Sequence, residues 1–296
     1  MRDPDALIST DTLAARLGES GLRIYDCTTY LEPPAAGSDD PYSVVSGRQT
    51  FLTGHVPGAD FLDLQGELSA TDTRLKFTMP SPAHLAGAFG GHGLGDDSRV
   101  VLYSLGSMMW STRVWWMLRA LGFDRAAVLD GGFDRWQAEG RPVERGEARG
   151  YPPASFTPRP RPGRFVDKIA VRAAIDDART VTVNALGPQF HRGLEPSRYG
   201  RPGRVPGSVN VPAASLIDPA TKRFVAPAGR TVDVGGHARA VAHRDHHVLG
   251  EVDVVLGGGG TGDGVEALHR GRVGLSRSRS GGSGPGPTLP SSRHRA

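Results

Sequence analysis

The chain of 296 residues holds a single cysteine, Cys27. One thiol forms no intrachain disulfide and supplies no multi-thiolate zinc site, so it leaves one candidate sulfur nucleophile. Long apolar runs are also lacking. The longest, such as Val114-Trp115-Trp116-Met117-Leu118, fall far short of the roughly 20 residues that span a bilayer. The opening MRDPDALIST carries two acids and no apolar core, unlike a secretory leader. No membrane association is therefore expected, and a cytoplasmic location is. A usable excess of positive charge is missing as well. The net charge is +4, and much of the excess lies between the two halves and in the last thirty residues, around Arg277-Ser278-Arg279. That basic tail has no aromatic to interleave with a nucleic acid, so none is expected as a partner.

What is present fits two globular domains of ordinary size, with 38% hydrophobic and 22% charged residues. Ser9 or Thr10 can cap a helix through Leu13 and Leu17, and Leu22 to Tyr25 is a short buried strand ending at Asp26. Ser81-Pro82 has the chemistry of a helix start, a hydroxyl cap followed by proline. Val100 to Tyr103 and Ala127 to Leu129 are further apolar strands. A helix from about Ser111 to Leu121 should bury Val114, Trp115, Leu118 and Leu121. Alternating helices and wholly apolar strands indicate α/β architecture with a parallel sheet covered on both faces.

Residues 146–166, dense in proline, glycine and arginine, read as a linker with little to bury. Beyond it the opening pattern returns: a helix over Asp167 to Ile175, a strand at Val181 to Val183, and Gly203-Arg204-Val205-Pro206-Gly207-Ser208 echoing Gly54-His55-Val56-Pro57-Gly58-Ala59. That recurrence suggests internal duplication. Past Ala228 the pattern fails. Residues 229–296 contain no Phe, Trp, Tyr, Ile, Met, Lys, Asn or Cys, and so little apolar surface offsets poorly the entropy of ordering the chain. Only Val252 to Leu256 reads as a strand there. The expected organisation is a first domain over 1–145, a linker over 146–166, a degenerate second domain over 167–265 and a disordered tail over 266–296.

Three segments, taken together and in order, resemble the rhodanese superfamily, specifically the tandem thiosulfate and 3-mercaptopyruvate sulfurtransferases. They are Tyr25-Asp26 followed by Gly54-His55-Val56-Pro57-Gly58-Ala59 and Phe61-Leu62-Asp63-Leu64; then Arg113-Val114-Trp115-Trp116; then Leu129-Asp130-Gly131-Gly132-Phe133-Asp134-Arg135-Trp136 with Glu139-Gly140-Arg141-Pro142-Val143 behind it. In the second half the match runs through Arg204-Val205-Pro206-Gly207-Ser208-Val209-Asn210-Val211-Pro212 to Val225. The resemblance implies two rhodanese-like domains, each a parallel central sheet flanked by helices, with the second incomplete. It implies no cofactor, and as partners a small sulfur-containing anion or a thiol acceptor. Residue by residue, the motifs themselves speak mainly for fold: Pro57-Gly58 and Pro206-Gly207 are turn chemistry, and Asp130-Gly131-Gly132 is a strand-to-helix corner.

The activity that the resemblance implies is sulfur transfer through a cysteine persulfide, the cysteine opening a loop that runs into a helix N-terminus, where N–H groups and the helix dipole stabilise the thiolate. In the first domain Ser104 occupies that position, at the head of Ser104-Leu105-Gly106-Ser107-Met108-Met109-Trp110-Ser111. A serine hydroxyl forms no persulfide, and no histidine base accompanies it. In the second domain the cysteine loop should fall near residues 245–253, where His246-His247-Val248-Leu249-Gly250-Glu251-Val252-Asp253 stands instead. No catalytic residue is therefore assigned. Arg192 is the near match to the family's substrate-side arginine, and Arg204 replaces the histidine common before the Val-Pro-Gly turn. Cys27 has the sulfur and a place at a strand end, without the cradle; the plainer reading is a buried structural thiol.

The histidines His237, His243, His246 and His247 could suggest a metal site, but nothing else there predicts the helix that would gather them, and no metal is assigned. Gly257 to Gly262 lacks the lysine of a phosphate loop. A family match that ends abruptly in a Gly/Arg/His/Ser-rich stretch fits a shifted reading frame in a GC-rich gene, or a low-complexity tail. Two functions follow: a sulfurtransferase-family protein inactive for want of its cysteine, or a non-catalytic rhodanese-fold module that binds a small anion or a protein partner.

Overall fold

A computed structural model describes residues 6–73, 75–195 and 201–225 of the protein. The chain enters on β1 (Leu7–Ile8) and α1 (Thr10–Ala15), whose cap Ser9 accepts the Thr12 N–H at 3.1 Å. Then come β2 (Leu22–Asp26), the antiparallel pair β3 (Thr29–Glu32) and β4 (Ser43–Ser46), α2 (Arg48–Thr53) and β5 (Asp60–Phe61). Next are α3 (Pro82–Gly91), β6 (Arg99–Tyr103), α4 (Met109–Ala120), β7 (Ala126–Leu129) and α5 (Gly132–Ala138). Five strands form one sheet in the order β1-β7-β6-β2-β5, every pair parallel. This is the α/β fold with a parallel central sheet that the apolar strands indicated.

Period-two alternation decides which face each strand residue joins. From β6, Val100 and Leu102 pack with Leu85 and Phe89 of α3 and Val114, Met117 and Leu118 of α4. Val101 and Tyr103 point the other way, to Leu13 of α1, Phe51 of α2, and Phe133 and Trp136 of α5. Each such buried side chain contributes roughly 2 kcal/mol of transfer free energy. The helix expected from about Ser111 starts earlier, at Met109, which draws Ser111 and Arg113 into its buried face. Trp116 is buried, while Trp115 is half-buried with its indole N–H donated to the Ala126 carbonyl at 2.9 Å.

Residues 146–166 bury more than their composition suggests. Phe156 is buried and joins the core beside Phe89 and Phe123. The Ala154 N–H donates to the Gly90 carbonyl, and the Arg159 and Arg161 N–H groups donate to Leu121 and Ala120. Tyr151 donates its hydroxyl to the Gly58 carbonyl at 2.6 Å and accepts the Ile24 N–H at 3.0 Å. Close approach is possible because glycines lie beneath: a Cβ at Gly90 would sit 2.7 Å from the Ala154 carbonyl oxygen, and one at Gly122, 2.5 Å from that of Arg159. Three aromatics, Tyr151, Phe156 and Phe165, pack on the same core and turn the segment into a strap.

The second part comprises α6 (Lys168–Ile175), β8 (Val183–Asn184), α7 (Pro188–Arg192), β9 (Val209–Asn210) and a 3-10 helix over Ala213–Leu216. Asp167 caps α6 by accepting the Ala170 N–H at 2.9 Å. β8 and β9 pair in parallel as β2 and β5 do: Val183↔Val209 and Asn184↔Asn210 against Tyr25↔Asp60 and Asp26↔Phe61. The turns before β5 and β9 also match. The Ala59 N–H donates to Val56 and that of Ser208 to Val205, with Gly58 and Gly207 both at φ +74°. Among the described residues, no strand lies on the far side of β8, where β6 flanks β2 in the first domain. The expected strand at Val252 to Leu256, the candidate histidines, the glycine run and the tail lie outside the described residues. Among the described residues no helix is long and apolar enough to cross a membrane.

Candidate functional site

In an open parallel α/β sheet, chemistry gathers at the carboxyl ends of the strands. Here three chain segments meet at that edge: the end of β2 at Asp26, the loop from Ser104 to Met108 after β6, and the Asp130-Gly131-Gly132 corner after β7. Ser104 directly follows β6, in the position expected from the sequence, and it is buried. Its hydroxyl donates to the Ser107 carbonyl at 2.6 Å and lies 3.2 Å from the Ser111 hydroxyl. The Ser104 carbonyl in turn accepts the Phe133 N–H at 3.1 Å. A Cβ at Gly132 would stand 2.5 Å from that same oxygen, so only glycine fits the corner. Ser104 is thus a structural residue of the loop, its hydroxyl turned into its own turn.

Two of the loop's N–H groups, of the kind that in a sulfur-transfer cradle would face an anion, are committed to side chains of the protein. Leu105 N–H donates to the Thr28 hydroxyl at 3.0 Å. Gly106 N–H donates to Asp134 Oδ2 at 2.6 Å. A carboxylate of the protein therefore takes up the Gly106 N–H. Met108 is buried, its thioether accepting the Gly131 N–H at 3.4 Å, and the buried Trp110 packs on Phe77. Thr28 is itself fixed by Asp26, whose Oδ1 accepts the Thr28 N–H at 2.8 Å and its hydroxyl. Burial raises the Asp26 carboxyl to about 6, against the opposing bonds from Thr28 and from the Tyr103 phenol. Tyr103 also accepts the Val56 N–H at 3.2 Å, which ties the turn at Pro57-Gly58 into the same network.

Cys27 is fully buried, its backbone N–H donated to the Tyr103 carbonyl. Burial first, and the neighbouring Asp26 charge second, push its thiol well above the ordinary range. That is the reverse of what a nucleophilic cysteine requires. Arg113 lies inside α4, its guanidinium donating to the Phe77 carbonyl at 2.8 Å and covering the Phe165 ring at 4.8 Å. His55 of the first Val-Pro-Gly turn is likewise structural: it stacks on Phe51 at 3.9 Å, with Nδ1 2.9 Å from the Phe51 carbonyl.

In the second part Arg192 ends α7 and is exposed. Its neighbours hold one another instead: His191 Nε2 lies 3.1 Å from the Ser208 carbonyl, and Arg204 donates to the His191 carbonyl at 3.2 Å. Because the Ser208 carbonyl can only accept, Nε2 carries the proton, and His191 is not poised as a base toward the Ser208 hydroxyl. Asn184, at the position β2 gives to Asp26, accepts the Leu186 N–H at 3.0 Å, repeating the Asp26–Thr28 turn. Two participants had been missed from sequence. Thr28 carries no motif. Asp134 lies inside a segment read only as a corner, although its place in the first turn of α5 aims it back at the loop.

Residues 9–139 match the family described as the rhodanese-like domain. A Pseudomonas aeruginosa protein named "Probable 3-mercaptopyruvate sulfurtransferase" is 33% identical over 195 residues, covering 64% of this chain and 65% of its own. Rat 3-mercaptopyruvate sulfurtransferase is 31% identical over 220 residues, covering 72% of this chain and 70% of its own. The crystal structure of an Escherichia coli protein described among 3-mercaptopyruvate sulfotransferases of the rhodanese fold superposes with a TM-score of 0.61 at 26% identity, covering 75% of this chain and 79% of that one. The chain thus spans roughly two thirds to four fifths of these relatives' lengths, and slightly under two thirds of the Pseudomonas protein.

Proposed function

The chain belongs to the rhodanese-fold sulfurtransferase family, and from that premise we propose that its first domain is a non-catalytic rhodanese-like domain and that the chain carries no persulfide. The observation that carries this reading is the Asp134 carboxylate on the Gly106 N–H at 2.6 Å. Sulfur transfer from thiosulfate needs a thiolate to attack the outer sulfur, breaking the S–S bond so that sulfite departs with the electron pair. The persulfide then yields its terminal sulfur to cyanide or a thiol, and the thiolate is restored. Both steps place negative charge at the loop, and a resident carboxylate opposes it at close range. The only thiol is Cys27, buried and held protonated. The same contacts disfavour a small anion at this loop, so the binding-module alternative would rest on other surfaces.

The second part is read as the opening of a second rhodanese-like domain; the matched register of β8–β9 and β2–β5 and the paired turns support it. The proposed boundaries remain 1–145, 146–166, 167–265 and 266–296, with the cytoplasm as location. Arg192 keeps its proposed place as the substrate-side arginine of that part; its exposure leaves it accessible. The test is a cyanide-acceptor assay on the full chain with thiosulfate and with mercaptopyruvate, alongside Cys27→Ala. No turnover and no added sulfur by intact mass are expected in either protein. Turnover abolished by Cys27→Ala would overturn the reading and make Cys27 the nucleophile.

A further inference from the structure

Asp130 closes β7 and is a tenth exposed, and its two carboxylate oxygens reach a segment more than 90 residues later. Oδ2 accepts from Arg223 Nε at 2.7 Å, and Oδ1 accepts the Phe224 N–H at 2.8 Å. The segment that presents these donors is built beforehand. Ile217 and Phe224 bridge in antiparallel fashion, the Asp218 N–H donates to the Arg223 carbonyl, and the Val225 N–H donates to Leu216. Asp218 Oδ1 accepts the N–H groups of Ala220 and Thr221 at 2.9 Å each, and Lys222 takes the left-handed conformation, φ +58°, that tightens the turn. The hairpin's own bonds thus leave the Phe224 N–H facing Asp130.

We propose that the Asp-Gly-Gly corner of the first domain is a docking surface for the 217–224 hairpin of the same chain, with Asp130 as the latch. One carboxylate bound at both oxygens, by a guanidinium and a backbone amide, fixes direction as well as distance, and such charge-assisted bonds are about twice as strong as neutral ones. The corner already touches the Ser104 loop, through Phe133 N–H to the Ser104 carbonyl and Gly131 N–H to the Met108 thioether. Docking there seats the second part over the carboxyl edge of the first domain's sheet. This inference stands independently of whether the chain transfers sulfur.

Hydrogen exchange at single amides of the full chain tests it, because undocking and unfolding of the hairpin expose different groups. In Asp130→Ala and in Arg223→Gln, the Phe224 amide should exchange about tenfold faster or more, while Asp218 and Val225, bonded within the hairpin, keep their rates. The double variant should exchange no faster than Asp130→Ala alone, since both substitutions open one contact. Asp134→Asn, which alters the neighbouring carboxylate on Gly106, should leave Phe224 unchanged. Should Asp130→Ala fail to fold, Arg223→Gln carries the same readout, being half-exposed and outside the first domain. An unchanged Phe224 rate in Arg223→Gln, or equal acceleration of Phe224, Asp218 and Val225, would overturn the latch.

Discussion

His92, at the end of α3, sits between two carboxylates: Nδ1 is 2.9 Å from Asp60 Oδ2 and Nε2 is 3.0 Å from Glu67 Oε2. These bonds, Asp60 first, raise its pKa to about 9 from an ordinary 6.5. The difference corresponds to roughly 3 kcal/mol at about 1.4 kcal/mol per tenfold. Glu67 is 46% exposed, so solvent screening brings the expected contribution to about 2 kcal/mol. A folded-state pKa above the unfolded one means that the native protein holds the extra proton. The stabilisation is therefore full below about pH 6.5 and is lost as pH rises through about 9. Tyr25, whose hydroxyl donates to the His92 carbonyl at 2.8 Å, is pushed by burial far above its usual range and stays protonated throughout that window. Replacing His92 by glutamine keeps polar contacts and removes the charge. At pH 6 the variant should be about 2 kcal/mol less stable in urea, roughly 4–8 °C in Tm, and by pH 10 the two proteins should converge. A difference between wild type and variant that stays constant from pH 6 to 10 would refute the argument.

Asp26 titrates with the same sign, in a lower pH window. Its folded pKa of about 6 lies above the ordinary carboxylate value, so wild type should gain stability as pH falls from about 6 to 4, and Asp26→Asn should lack that rise in paired urea titrations. Removal of the Phe156 side chain from the core it shares with Phe89 and Phe123 should cost about 3–5 kcal/mol; a loss below 1 kcal/mol would mean the strap is not part of the first domain's core. Gly122→Ala, forced to a φ of +83° with its Cβ 2.5 Å from the Arg159 carbonyl, should lower stability by about 1–3 kcal/mol and speed proteolysis within 151–165. Ser104→Cys should remain unreactive toward a thiol reagent in the native state and react on unfolding, because the Ser104 side chain is enclosed by Ser107 and Ser111.

The elements of the first domain were legible because their signals are local. Ser9 and Ser81 cap the helices they precede, and the short, largely apolar runs at Leu22 and Val100 read as buried strands. The family resemblance was equally legible, since its motifs are contiguous in sequence. The strap was not. Composition counts its prolines and arginines, whereas its packing depends on Tyr151 and Phe156 finding Gly58, Phe89 and Phe123, contacts that only the folded sheet brings within reach.

The candidate site divides along the same line. Sequence alone determined that Cys27 is the only thiol, for chemistry is fixed by residue type, and it led to the reading that Ser104 stands where the family's cysteine would be. Tertiary structure decided the surroundings of each. It buried Cys27 beside Asp26, closed Ser104 onto Ser107, and turned Asp134 back onto the Gly106 N–H. It also joined Asp130 to Arg223 and Phe224 across more than 90 residues. No pattern in the chain encodes that meeting, because it follows from where the parallel strands end and which donors the hairpin's own bonds leave facing outward.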